Sequence, residues 1–137
     1  MEGFGYEVPI QVRWRDLDAF AHVNNAVFAS WIEVARAELW RDRFGGREAL
    51  DIPFVVARLE IDYRRPVGLY DRVVVGVRAA DVRGSSFAFE YRIESEGELA
   101  AAARTVLACV DRDSGRPVRI PAALRSKLET FAADGGG

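Results

Sequence analysis

Phe4, Tyr6, Val8, Ile10, Val12 and Trp14 alternate with Gly5, Glu7, Pro9, Gln11 and Arg13. That period of two predicts a half-buried strand, with Pro9 marking an edge or an end. After a polar break at Arg15-Asp16-Leu17-Asp18 the period changes. Val27, Phe28, Trp31, Ile32, Ala35, Leu39 and Trp40 recur at three- and four-residue steps. This spacing predicts an amphipathic helix of about five turns that ends before Gly45-Gly46. Asn24 or Asn25 is its N-cap candidate. Phe28, Trp31 and Trp40 are expected in the core.

Strand patterns then dominate. Phe54 to Arg65 begins as an apolar run and continues in alternation through Leu59, Ile61 and Tyr63, until Pro66 and Gly68 break it. Arg72 to Val82 is rich in valine, and Arg83-Gly84-Ser85-Ser86 turns the chain. Phe87, Phe89, Tyr91 and Ile93 alternate up to a hairpin turn at Glu96-Gly97. Leu99 to Val110 carries a run of alanines with helix propensity, but Val106, Leu107, Cys109 and Val110 after a hairpin favour a strand. Pro121 opens a short helix to about Ala133, and the glycine end, 135–137, is expected to fray. The order strand, long helix, four strands, short helix implies an α+β fold: an antiparallel sheet of about five strands with one long helix across a face. No repeat or linker divides 1–137, which is expected to form one domain.

The 137 residues, half of them hydrophobic and 29% charged, suit a globular domain and not a disordered chain. A net charge of -2 gives no overall basic field, and no nucleic-acid partner is expected. No apolar run approaches the roughly 20 residues of a membrane helix, and the N-terminus lacks a signal-peptide pattern. Cys109 is a lone cysteine, as suits a reducing, cytoplasmic setting. Of the 19 basic residues only Lys127 is lysine, so most arginines are expected to be solvated surface groups. Scarcity is more telling. The only histidine, His22, and the only asparagines, Asn24 and Asn25, fall within four positions of one another.

Asp18 lies in a loop between a strand and a helix, where a side chain can face a cleft. The backbone N–H groups at the helix start, near Asn25, are unpaired donors suited to an anion. A carboxylate aimed at a carbonyl held on a helix N-terminus is a workable hydrolytic site. The plainer reading has Asp16 and Asp18 capping turns and Asn24 capping the helix. Asp16, Asp18 and His22 could form a two-carboxylate, one-imidazole metal triad, but there is no second histidine and no metal is expected. No Gly-x-Ser-x-Gly elbow or phosphate loop occurs.

The run Asp16-Leu17-Asp18-Ala19-Phe20-Ala21-His22-Val23-Asn24-Asn25 resembles the Asp-x-Asp-x-x-x-His-Val-Asn-Asn signature of hotdog-fold thioesterases. More narrowly it resembles the 4-hydroxybenzoyl-CoA thioesterases and the plant-type acyl-ACP thioesterases. Tyr63-Arg64-Arg65-Pro66 and the later Gly115-Arg116-Pro117 and Ile120-Pro121 arrive in the expected order. The resemblance implies a hotdog fold and hydrolysis of an acyl-CoA to a free acid and coenzyme A. Asp18 matches the nucleophile or general base, the backbone N–H of Asn25 the carbonyl-polarising donor, and His22 the histidine that orients or activates the attacking group. Phe20 stands where the plant-type motif has asparagine. Arg83, Ser85 and Ser86, with Arg116 and Arg119, match segments that meet the phosphates of coenzyme A, for which guanidinium forks are suited. Tyr63, Arg64 and Arg65 would line the pantetheine path. No cofactor is expected beyond coenzyme A as part of the substrate. A homodimer or homotetramer is implied, with Asp18 and His22 from one chain and 63–65 from its neighbour. Alternatives are an acyl-ACP thioesterase, a hotdog dehydratase or hydratase using His22, and a non-catalytic acyl-CoA-binding module.

Overall fold

A computed structural model describes residues 1–47 and 53–135. In chain order it contains β1 (Tyr6–Ile10), a 3₁₀ turn (Trp14–Asp16), α1 (Asn25–Arg43), β2 (Phe54–Tyr63), β3 (Val73–Ala80), β4 (Ser86–Ser95), β5 (Glu98–Cys109) and α2 (Ala122–Gly135). The strands form one sheet in the order β1-β3-β4-β5-β2, with every neighbouring pair antiparallel. This is the α+β architecture expected from the element order, arranged as the hotdog fold that the resemblance implies. The alanine run resolves as strand, with Ala101 paired to both Ile93 and Tyr63. The tail expected to fray lies, beyond Gly135, outside the described residues.

The first strand is shorter than its alternation predicts. It ends at Ile10, and Trp14 falls in the 3₁₀ turn with 78% of its surface exposed. The reason lies in Asp16, whose carboxylate accepts the Arg13 backbone N–H and so curls 13–16 back on itself.

The two faces of the sheet differ in chemistry. Phe87, Phe89, Tyr91 and Ile93 of β4 and Leu107 and Cys109 of β5 are buried on the face that the helices cover. Phe28, Trp31, Ile32, Ala35, Leu39 and Trp40 supply the apolar side of α1. The opposite face carries crossed ion pairs, Arg78–Glu90, Arg104–Glu90 and Arg104–Asp81. The α1 helix lies antiparallel to β2: Phe28 meets Tyr63 edge-on near the helix start, and Trp40 meets Phe54 near its end. Among the described residues no helix is long and apolar enough to cross a membrane.

Gly45, at φ 77°, takes the left-handed backbone that commonly ends a helix. Beside it, Gly46 presses on the indole of Trp40; a Cβ there would stand 2.0 Å from Nε1. Trp40 is buried and held on both sides, stacked on Phe44 and edge-on to Phe54. Gly46→Ala is therefore expected to destabilise the fold by ~1–3 kcal/mol, as overpacking does. Denaturant titration would register it as a lower midpoint at unchanged slope.

Candidate active site

The loop from Arg13 to Asn24 is closed by a short hydrogen-bond ladder. Asp16 is buried; its carboxylate takes the Arg13 backbone N–H at 2.8 Å and the Arg13 guanidinium at 2.9 Å. Its carbonyl accepts the Asn24 N–H at 2.8 Å, which ties the two ends of the loop together. Inside that tie Leu17 bridges Val23, and the Asp18 N–H donates to the His22 carbonyl at 2.7 Å. The tight turn puts Ala21 at φ 61°. Asp18 Oδ1 accepts the N–H groups of Phe20 and His22 at 2.9 and 3.2 Å, whereas Oδ2 has no donor among the described residues. The plainer reading of Asp18 as a turn cap thus holds for one of its two oxygens. Asp16 proves fully structural.

The Val23 N–H donates to the Val67 carbonyl, which fixes this loop against the segment after β2. At Asn24 the chain enters α1. Asn24 is the N-cap: its Oδ1 takes the Ala26 N–H at 2.9 Å, and its carbonyl takes the Val27 N–H at 2.9 Å. The Asn25 N–H has no acceptor among the described residues, the usual condition of a first helical residue. Tyr63, at the end of β2, donates its hydroxyl to the Asn25 carbonyl at 2.8 Å while its ring packs on Phe28. Asp18, His22, Val23, Asn25, Phe28, Tyr63, Arg65 and Pro66 together line a cleft of about 210 Å³.

Two sequence expectations need correction or division here. Tyr63 and Arg65 were expected from a neighbouring chain, yet both line the cleft of the chain that carries Asp18. The hydroxyl bond to Asn25 is the reason: β2 and the start of α1 are joined within one subunit. Arg65 is moreover ion-paired with Glu98, while Arg64 is exposed beside it. The role of Tyr63 in holding the helix start had no signal in the sequence, since it depends on a contact across 38 positions.

Arg83, Ser85, Ser86, Arg116 and Arg119 come together, but elsewhere. The Ile120 N–H donates to the Gly84 carbonyl and the Cys109 N–H to the Ser85 carbonyl, so the two predicted basic segments lie side by side. Arg83, Arg116 and Arg119 are exposed there. This cluster adjoins Cys109, which pairs with Phe54, whereas the cleft adjoins Tyr63, which pairs with Ala101. Eight residues of strand, ~27 Å, separate the two ends. One chain does not bring them together. Among the described residues no three His, Cys, Asp or Glu side chains converge where a metal ion could sit.

Comparison with known proteins places this geometry. The chain belongs to the thioesterase-like superfamily, whose profile matches residues 12–128. It is 33% identical, over 90% of its length and 96% of the relative's, to the long-chain acyl-CoA thioesterase FadM of Escherichia coli. It is 29% identical, over 88% of its length and 93% of the relative's, to the acyl-CoA thioester hydrolase YbgC of Escherichia coli. A thioesterase of Thermus thermophilus, crystallised with coenzyme A and Zn, superposes with a TM-score of 0.88 at 41% identity, covering 97% of this chain and 98% of that one. By family, fold and relatives the chain is a thioester hydrolase.

The Asp16 clamp carries a pH signature. Burial alone would raise its carboxyl, but the hydrogen bonds and charge of Arg13 outweigh that and hold it below the usual carboxylate range. A depressed value contributes stability above the unfolded pKa of ~3.9, and that stability is lost as pH falls through the folded one. The thermal midpoint of the wild-type protein is expected to fall more steeply between about pH 5 and 2 than that of Asp16→Asn. Parallel curves would remove the clamp from the account.

Proposed function

We propose that the chain hydrolyses acyl-CoA thioesters, with Asp18 as nucleophile or general base and the Asn25 N–H as the donor to the carbonyl oxygen. The observation that carries this reading is the pairing, in one cleft, of an uncommitted carboxylate oxygen with an uncommitted helix-start N–H. A thioester carbonyl seated on α1 would have its oxygen on that N–H, at the positive end of the helix dipole. Asp18 Oδ2 would then attack the carbonyl carbon directly or take a proton from the water that does. The C–S bond breaks, the thiolate leaves as coenzyme A and takes up a proton, and water supplies the oxygen of the new acid. The backbone of His22 holds Asp18 in place, and His22 lines the same cleft. The acyl-CoA substrate is taken from the relatives: FadM and YbgC are named for it, and the Thermus thermophilus protein holds coenzyme A.

The separation between the cleft and the basic cluster favours a shared site. Among the described strands β2 pairs with β5 alone, and Val55, Val56 and Leu59 on it are 50%, 44% and 44% exposed. An open, apolar edge of this kind is a template for a second strand. Antiparallel pairing of β2 with its copy about a two-fold axis sets the Tyr63 end of one chain beside the Phe54 end of the other. The basic cluster of the partner then stands about three strand spacings, ~14 Å, from the cleft instead of ~27 Å. An extended pantetheine arm covers the shorter span. In this homodimer Asp18, His22, Asn25, Tyr63 and Arg65 come from one chain, and Arg83, Ser85, Ser86, Arg116 and Arg119 from its partner.

Asp18→Asn is expected to lower kcat by ~10² or more with little change in stability; a variant with full turnover would defeat the assignment. Neutralising Arg83 and Arg116 together is expected to raise KM for acyl-CoA more than it lowers kcat. Mixing Asp18→Asn chains with chains lacking Arg83 and Arg116 tests the sharing. Heterodimers would hold one site with both groups intact, and activity above that of either parent is the expected result.

A further inference from the structure

A second cleft, of about 280 Å³, opens farther along α1 and is lined by Glu33, Arg36, Ala37, Trp40, Phe54 and Val56. It occupies the other end of the interval between α1 and β2, where Trp40 rather than Phe28 meets the strand. Asn25, Ala29, Glu33, Arg36 and Trp40 follow three- and four-residue steps and so fall on one stripe of the helix. Ala29, small and half-buried, lies between the two clefts on that stripe. At 1.5 Å of rise per residue, Glu33 and Arg36 stand ~12 and ~16 Å beyond Asn25.

The polar content of this cleft is unspent. Arg36 is half-buried, and among the described residues its one hydrogen bond runs from Nη1 to the Tyr91 hydroxyl at 3.3 Å. That hydroxyl is already engaged with Thr105 Oγ1 at 2.7 Å, and both residues are buried. Among the described residues neither Arg36 nor Glu33 forms an ion pair. A guanidinium has five N–H donors, and those of Arg36 that Tyr91 does not take are accessible and open to a ligand. Arg36 therefore presents donors to the cleft, while Glu33 presents acceptors three residues away. A hydroxyl satisfies both: its oxygen accepts from Arg36 and its proton is donated to Glu33. A plain methyl end would satisfy neither, and a carboxylate end would meet the charge of Glu33.

We propose that this cleft receives the far end of the acyl group, and that the preferred substrate is a medium-length acyl thioester with a hydroxyl near that end. The proposal rests on the thioesterase reading above, with the thioester carbonyl at Asn25. The span from Asn25 corresponds to roughly nine to twelve carbons of a staggered chain with ~1.5 Å bonds.

The test compares kcat/KM for butanoyl-CoA, decanoyl-CoA, ω-hydroxydecanoyl-CoA and the mono-CoA ester of decanedioic acid. In wild-type protein the hydroxylated chain is expected to exceed the plain one by ~10-fold or more, because a site built to bond a hydroxyl discriminates against its absence. Arg36→Met is expected to bring that ratio close to one. Competitive inhibition by ω-hydroxydecanoate against decanoate reads the same preference in wild-type protein, without relying on a variant that folds. Equal kcat/KM for the two decanoyl chains, a preference for the dicarboxylic ester, or a ratio that survives Arg36→Met would overturn the proposal. Failure to hydrolyse even butanoyl-CoA would instead overturn the thioesterase reading.

Discussion

At the start of α1 the Asn24 side chain takes the Ala26 N–H, the Asn24 carbonyl takes the Val27 N–H, and the Asn25 N–H is left facing the cleft. Helix starts always leave donors over, and most spend them on water. Here the surroundings fix where the spare donor points. The Asp16 carbonyl fastens Asn24 from one side, and the Tyr63 hydroxyl fastens the Asn25 carbonyl from the other. The loop holding Asp18 is closed by the same Asp16. Donor and carboxylate are therefore positioned by a single small lattice, and neither depends on a flexible side chain.

The sheet imposes the second constraint. Its order puts β2 at an edge, so the strand facing the cleft is also, among the described residues, a strand with an open side. A buried central strand could line a cleft but could not join two subunits. An edge strand can do both, and Val55, Val56 and Leu59 lie about half exposed along this one.

Local chemistry was legible in the sequence to the extent that it repeats or is scarce. The three- and four-residue steps from Val27 to Trp40 located α1, and the asparagine pair located its cap to within one residue. The alternation of Phe87, Phe89, Tyr91 and Ile93 identified the face of β4 that is buried. Trp14 was misread because alternation cannot reveal that Asp16 will capture the Arg13 amide and end the extended run. The contact of Tyr63 with the helix start was missed for a different reason. It is made by a bond between positions 25 and 63 of one chain, and no spacing rule reaches that far. Arg36 was lost among eighteen arginines; only its burial, and its want of an acidic partner, set it apart.

The lone cysteine gives the fold a chemical clock. Cys109 is wholly enclosed where the end of β5 meets Phe54, and burial pushes its thiol above the ordinary range. Alkylation requires thiolate and access, and the closed state supplies little of either. The thiol therefore becomes reactive only when the layer covering this face of the sheet lifts, so its labelling rate counts those openings.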